Sequence, residues 1–337
     1  LGNPPGKEHI LHLLLGRLAL ADHQLRNGHP ERALELTDEV MRIDSDSTEG
    51  QLVKGSAELA LGDPDAARET FAALSAAEPD NWQAHFRLAN TERIRGDAPA
   101  ARASAEQVLR LNPDYAPAVA IVAAADIAAG RLDAAADRAA WLKTRYPASP
   151  AGYELDGDLA LRRGNFTAAV AAYGAALERT QSSDGRILVK KSEARARIGE
   201  GKAAIADMSA WLAAHPENLP VRVAIGVLMQ QTGDGDSAVG AYEKALADGA
   251  DDIVLLNNLA WLYFERKDPR AREVGQRAYE QAPDNPSVLD TYGWILVNQG
   301  DIAGGLPMLA KAAQLAPDVT AIREHLDAAR SMSDGSP

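Results

Sequence analysis

The chain has no cysteine, which rules out a disulfide framework, a thiolate metal site and a cysteine nucleophile. Aromatic residues make up only 5%. A core with so few rings has to be built from Ala, Leu and Val, a composition that suits closely packed helices better than sheets. Nowhere do apolar residues run for the roughly 18 positions that a membrane-spanning helix needs. Positive charge is also short: 35 Lys and Arg face 48 Asp and Glu, a formal net charge of -13. A field of that sign opposes phosphate backbones and anionic lipid, so no nucleic-acid partner is expected. What remains is ample core material, 46% hydrophobic over 337 residues, enough for two or three globular domains or one elongated array.

Periodicity decides between these. Small residues recur just after each turn at Ala33, Ala67, Ala101, Ala135, Ala169, Ala204, Ala238, Ala271 and Gly305. A second small residue precedes nearly every one by twelve positions: Ala21, Gly55, Ala89, Ala123, Gly157, Ser192, Gly226 and Gly293, with Ala260 one position closer. Prolines follow twelve positions later at Pro79, Pro113, Pro147, Pro216, Pro283 and Pro317. Glycines stand between the two small positions, at Gly28, Gly62, Gly96, Gly130, Gly164, Gly199, Gly233 and Gly300, with Lys267 in the eighth unit. These ladders keep one register of about 34 residues through nine units. Each unit offers two apolar runs spaced by three and four, such as Ala67, Phe71 and Leu74, divided by a glycine that ends the first helix. The predicted unit is a helix hairpin whose small residues lie where paired helices cross, and only stacking on neighbours buries its apolar face.

A small residue at the eighth position, Ala at the twentieth and Pro at the thirty-second of a 34-residue unit resemble the tetratricopeptide repeat, over residues 14–318. The resemblance implies an all-α fold, a right-handed superhelical solenoid of about nine hairpins with a capping helix over 319–330. One departure stands out. The family's aromatic at the eleventh position gives way to Gln24, Glu58, Glu92 and Asp126, with Tyr263 the exception. An extra residue falls in Gln181–Gly185, where Pro is also missing and a looser joint is expected, and one is lost in Lys267–Arg270. Residues 1–13 read as a Pro-containing lead and the start of a long first helix, and 331–337 as a disordered tail. The chain opens on Leu1 rather than Met, and the expectation is a native start removed, with any signal peptide or anchor cysteine upstream.

Chemistry-bearing patterns are weak. His9 and His12 are one turn apart but have no third ligand in register, so no metal or cofactor is expected; the seven histidines, His325 among them, read as solvated polar positions. Gly199-Glu200-Gly201-Lys202 lacks the first Gly and the final Ser or Thr of a phosphate loop and reads as an inter-helix turn. Asp234-Gly235-Asp236 is too short for a calcium loop, and no Ser, His and Asp set favours a triad. The chain is read as no enzyme.

The resemblance implies recognition of a protein or peptide on a concave groove lined by the first helices, at positions two, five, nine, twelve and thirteen. The eighth and ninth units then present Asn257, Trp261, Phe264, Asp290, Trp294 and Asn298, with both tryptophans on one surface. Tryptophan joins large apolar area to a hydrogen-bond donor, which favours it at binding hot spots. Asn257 is positioned to hold a peptide backbone. The alternative is that both indoles pack between helices and tighten the end of the array. A second candidate face carries Phe86, Asn90 and Arg93, beside Ile94. Glu154, Asp158, Arg162, Arg186, Glu193 and Arg197 in the middle units read as a solvated surface of mixed charge. The Lys and Asn clamp with which chaperone-binding relatives hold a C-terminal carboxylate has no counterpart.

The runs Asn257–Tyr263, Asp268–Ala271, Ala282–Pro286 and Leu289–Trp294 resemble the C-terminal repeats of bacterial envelope tetratricopeptide lipoproteins associated with PEP-CTERM exosortase and exopolysaccharide systems. That resemblance implies a secreted, lipid-anchored scaffold in the cell envelope. Two readings follow: a binding scaffold that assembles an envelope, secretion or exopolysaccharide complex, and a spacer or self-assembling subunit with no dedicated ligand.

Overall fold

The computed structural model describes residues 7–334, all of whose regular structure is α-helix, and the chain divides into two compact units at Thr180/Gln181. The first unit stacks five hairpins: α1 (Lys7–Arg26) with α2 (Pro30–Met41), α3 (Thr48–Ala60) with α4 (Pro64–Ala77), α5 (Trp82–Ile94) with α6 (Ala98–Leu111), α7 (Ala116–Ala128) with α8 (Leu132–Arg145), and α9 (Ala151–Arg162) with α10 (Phe166–Arg179). The second stacks four: α11 (Gly185–Arg197) with α12 (Gly201–Ala214), α13 (Leu219–Gln231) with α14 (Gly235–Ala247), α15 (Ile253–Glu265) with α16 (Arg270–Gln281), and α17 (Pro286–Asn298) with α18 (Ile302–Leu315). A nineteenth helix, α19 (Thr320–Asp334), closes it and runs four residues past the expected end at Arg330. The expected lead over residues 1–6 and the last three residues of the expected tail lie outside the described residues.

Local chemistry sets the boundaries. The eight turn glycines all take positive φ between 71 and 90°, and Lys267 adopts the same left-handed conformation at φ 55° where the unit is one residue short. The extra residue before α11 sits in a segment where Gln181 and Ser182 both have positive φ, and the boundary between the units falls there. Asp63, Asn81, Asp97, Asn165, Asn218, Asp234, Asp252, Asn285 and Asp301 each cap a helix by accepting a backbone N–H of its first turn.

The small residues of the first helices work as matched partners. A Cβ on Gly55 would lie 2.5 Å from the Phe71 ring, on Gly157 2.4 Å from Tyr173, and on Gly226 2.6 Å from Tyr242. Each ring sits sixteen positions after its glycine. Where the first helix carries Ala instead, at Ala89 and Ala123, the facing position is Ala105 or Ala139, and all four are fully buried. In these five hairpins glycine meets a ring and alanine meets alanine, which keeps the crossing filled without overpacking.

The missing aromatics of the eleventh position are replaced by polar ties. Glu58 accepts from Thr70 Oγ1 at 2.8 Å and Glu92 from Ser104 Oγ at 2.7 Å. Asp126, wholly buried, accepts from Arg138 at 2.8 Å, Arg131 at 2.7 Å and Arg102 at 3.0 Å. In the second unit Arg195 donates to Asp207. The ties to Thr70, Ser104, Arg138 and Asp207 each link residues twelve apart across the two helices of one hairpin, whereas Arg102 reaches Asp126 from the preceding hairpin. Burial alone would raise the Asp126 carboxyl, but the Arg131 and Arg102 bonds and the Arg138 charge bring it below the usual range. Glu92 goes the other way, pushed up by burial that the Ser104 hydroxyl and the charges of Arg68 and Arg95 offset only in part.

Candidate functional site

In the second unit the first helices of successive hairpins, α11, α13 and α15, form one side of a cavity of about 510 Å³. Val189, Pro220, Val223, Val227 and Val254 give it an apolar floor, and the linker Gly249–Asp252 closes one edge. These side chains occupy the second and fifth positions of their units and, for Val227, the ninth. A mixed-charge, solvated surface was expected around Glu193; Arg186, Glu193 and Arg197 are exposed, and an apolar strip that was not expected lies beside them. Helical periodicity gathers valines from three helices into one apolar strip, and Glu193 alone represents the charged set in its lining. Desolvation raises the Glu193 carboxyl, opposed by the charges of Lys190 and Arg197 on its own helix. The signal was present in the sequence as Pro220, Val223 and Val227 at groove positions.

Further along α15, at i+3 and i+7 from Val254, lie Asn257 and Trp261. Asn257 Oδ1 is buried and has no hydrogen-bond partner. Trp261 packs against Phe264, ring centroids 5.7 Å apart. Trp294 of α17 stacks on His325 of α19 at 4.5 Å and an interplanar angle of 14°, and Trp261 lies 5.8 Å from the same imidazole. His325 Nδ1 is 2.9 Å from Asp290 Oδ1, and Asp290 is 9% exposed. His325 is therefore not a solvated histidine. The stacking of α19 beside α17 carries it onto the two indoles, while Ile322, Leu326 and Ala329 of α19 are buried in the core. Trp261, Asp290 and Trp294 come together around it, with Phe264 set against Trp261. Asn298 donates to Trp294 O at 2.8 Å, on its own helix, and shares a smaller crevice with Phe264.

The second candidate face stays local to α5. Arg93 donates to Asn90 Oδ1 at 2.9 and 3.2 Å, and Phe86 meets Tyr115 edge-on at 5.0 Å. Ile94 beside them is 50% exposed. His215, another histidine read as solvated, stacks on Trp211 at 3.9 Å. Among the described residues no three His, Cys, Asp or Glu side chains gather as metal ligands, and no helix is long and apolar enough to cross a membrane.

Comparison with known proteins gives the arrangement a context. The family model for the tetratricopeptide repeat matches residues 52–116, 154–218 and 224–286, together more than half of the chain. A TPR repeat-containing protein of Pseudomonas aeruginosa is 29% identical over 106 residues, 31% of this chain and 18% of that protein, so the chain spans less than a fifth of this relative. The fold is similar to that of a tetratricopeptide repeat protein from Parabacteroides merdae, with a TM-score of 0.60 at 14% identity over 73% of this chain and 97% of that one. It is similar to yeast Tom70, also at 0.60, with 11% identity over 95% and 89% of the two chains. A third likeness, with a TM-score of 0.52 and 16% identity over 60% and 94%, is to PilW, a type IV pilus biogenesis factor.

Proposed function

The chain belongs to the tetratricopeptide repeat family, whose members are generally non-catalytic scaffolds that bind proteins or peptides, and from that premise we propose that its first helices in the second unit hold a segment of a partner protein. The carrying observation is the apolar cavity on α11, α13 and α15, with Asn257 and Trp261 further along α15. An apolar strip with a few polar groups beside it is the usual form of a recognition surface. Trp261, Phe264, Asp290, Trp294 and Asn298 extend it, with the indoles also holding α19 through His325. Phe86, Asn90 and Arg93 form a lesser face. The proposed setting is assembly of a bacterial envelope, secretion or exopolysaccharide complex, motivated by the resemblance of residues 257–294 to envelope lipoprotein repeats.

Replacing Val227 with Trp fills the cavity from a partly exposed position without touching a polar tie. Wild type is expected to retain its partner on affinity capture and Val227→Trp to lose it; equal capture by both moves the contact elsewhere. The spacer reading has one observation of its own: Leu13, Leu15 and Leu20 of α1 are 44, 51 and 43% exposed. Light scattering that finds a concentration-independent monomer removes its self-assembling form.

A further inference from the structure

We infer that the segment held in the valine-lined groove is basic, an apolar anchor flanked by Lys or Arg; this rests on the groove reading above. The polar lining of the cavity is one-sided. Glu193, Asp251 and Asp252 face it, and no cationic side chain belongs to its lining. Asp251 accepts from Arg277 at 2.8 Å, and Asp252 Oδ1 takes the amides of Val254 and Leu255, so both carboxylates are fixed in place by the fold. Glu193, exposed at the rim, shares the lining with Val189 and Val227, and Lys190 and Arg197 stand near it on its own helix. The neighbouring polar atom without a partner, Asn257 Oδ1, is also an acceptor.

A ligand that satisfies this set must bring donors and positive charge together with apolar area. Lys and Arg do both, laying an aliphatic stem along the four valines while the charged head reaches the carboxylates at the edge. An acidic segment would set like charge against Glu193 and Asp252 at the rim, a repulsion that disfavours it even though Arg277 already pairs with Asp251. The selection is the reverse of a basic clamp for a carboxylate.

Three short fluorescent peptides test the inference on the full chain. Each carries a central Leu, flanked by Lys in the first, Gln in the second and Glu in the third. Anisotropy titrations are expected to rank Lys above Gln above Glu. Glu193→Gln should weaken the Lys peptide about fivefold, the scale of one partly exposed ion pair, and leave the Gln peptide unchanged. Val227→Trp should weaken all binding. If the three peptides bind equally and Val227→Trp abolishes them all, the groove reading stands and the charge selection is overturned. If the Lys peptide binds as well to Val227→Trp as to wild type, it is held elsewhere by general attraction and both fall. Circular dichroism of the two variants checks that the helices are retained.

Discussion

The two units build the same hairpin and tie it differently. In the first unit Glu58, Glu92 and Asp126 occupy the eleventh position and reach across to Thr70, Ser104 and Arg138. In the second, Met229, Tyr263 and Leu296 occupy that position; Arg195 keeps a polar tie within its hairpin, and Tyr263 donates to Glu243 of the preceding one at 2.7 Å. The valine-lined cavity and the pairing of Trp261 and Trp294 with His325 belong to this second unit. The solenoid thus requires that the crossing be filled and the register held, and either chemistry does that. Polar ties fix particular partners, three arginines in the case of Asp126, whereas apolar contacts build area. The unit that relies on area is also the one that holds the valine-lined cavity.

The comparison breaks first where a hairpin depends on one ring. Tyr242→Ala should destabilise the second unit by about 3–5 kcal/mol, because Gly226 opposite cannot fill the space. Urea titration followed by hydrogen exchange in α13 and α14 reads that loss, and an effect confined to a few tenths would mean the crossing collapses freely.

Asp126→Asn should cost the first unit about 2–3 kcal/mol near neutral pH, since three arginines lose their common acceptor charge while remaining partly exposed. The folded Asp126 carboxyl lies below its ordinary value, so its stabilisation is present above the unfolded pKa of about 3.9 and is lost as pH falls toward the folded one. The variant should therefore show a flatter acid limb in melting curves. Glu92 carries the opposite sign. Its folded carboxyl is raised, so its penalty grows as pH rises through the unfolded and folded values. Glu92→Gln keeps an acceptor for Ser104 and should melt higher than wild type at neutral pH, with the difference vanishing in acid.

Removing the stacked imidazole by His325→Ala should loosen α19 by about 1 kcal/mol, read as faster amide exchange in α19 alone. The smallest expected change is a gain. Lys267→Gly relieves a left-handed non-glycine residue and should stabilise the α15–α16 hairpin by about 1 kcal/mol in the same assay.

The sequence carried the hairpin frame in full detail, because turn glycines, capping residues and small crossing residues are each determined by a local backbone or packing need. It carried the pairing of small residues only by half: that Gly157 and Gly226 needed room was legible, that Tyr173 and Tyr242 fill it was not, since the partner lies sixteen positions away on another helix. The polar ties stayed hidden for the same reason. Thr70 and Ser104 look like ordinary helix-surface residues until the hairpin closes. At the candidate site, Trp261 and Trp294 were read onto one surface, and in the structure both meet His325 of α19. His325 itself was not singled out, because its meaning depends on α19 stacking beside α17. The valine strip was overlooked because Arg186, Glu193 and Arg197 dominate a linear reading of α11, while the apolar floor draws its residues from three helices.

The central claim is that the inner face of the second unit, at α11, α13 and α15, holds a partner segment. A photo-crosslinking amino acid placed singly at positions 189 and 227, and for comparison at the exposed positions 206 and 210 of α12, tests it directly in cells. The account predicts one and the same partner peptide, identified by mass spectrometry, attached at 189 and 227 and absent from 206 and 210. Attachment at 206 and 210 with none at 189 and 227 would contradict it.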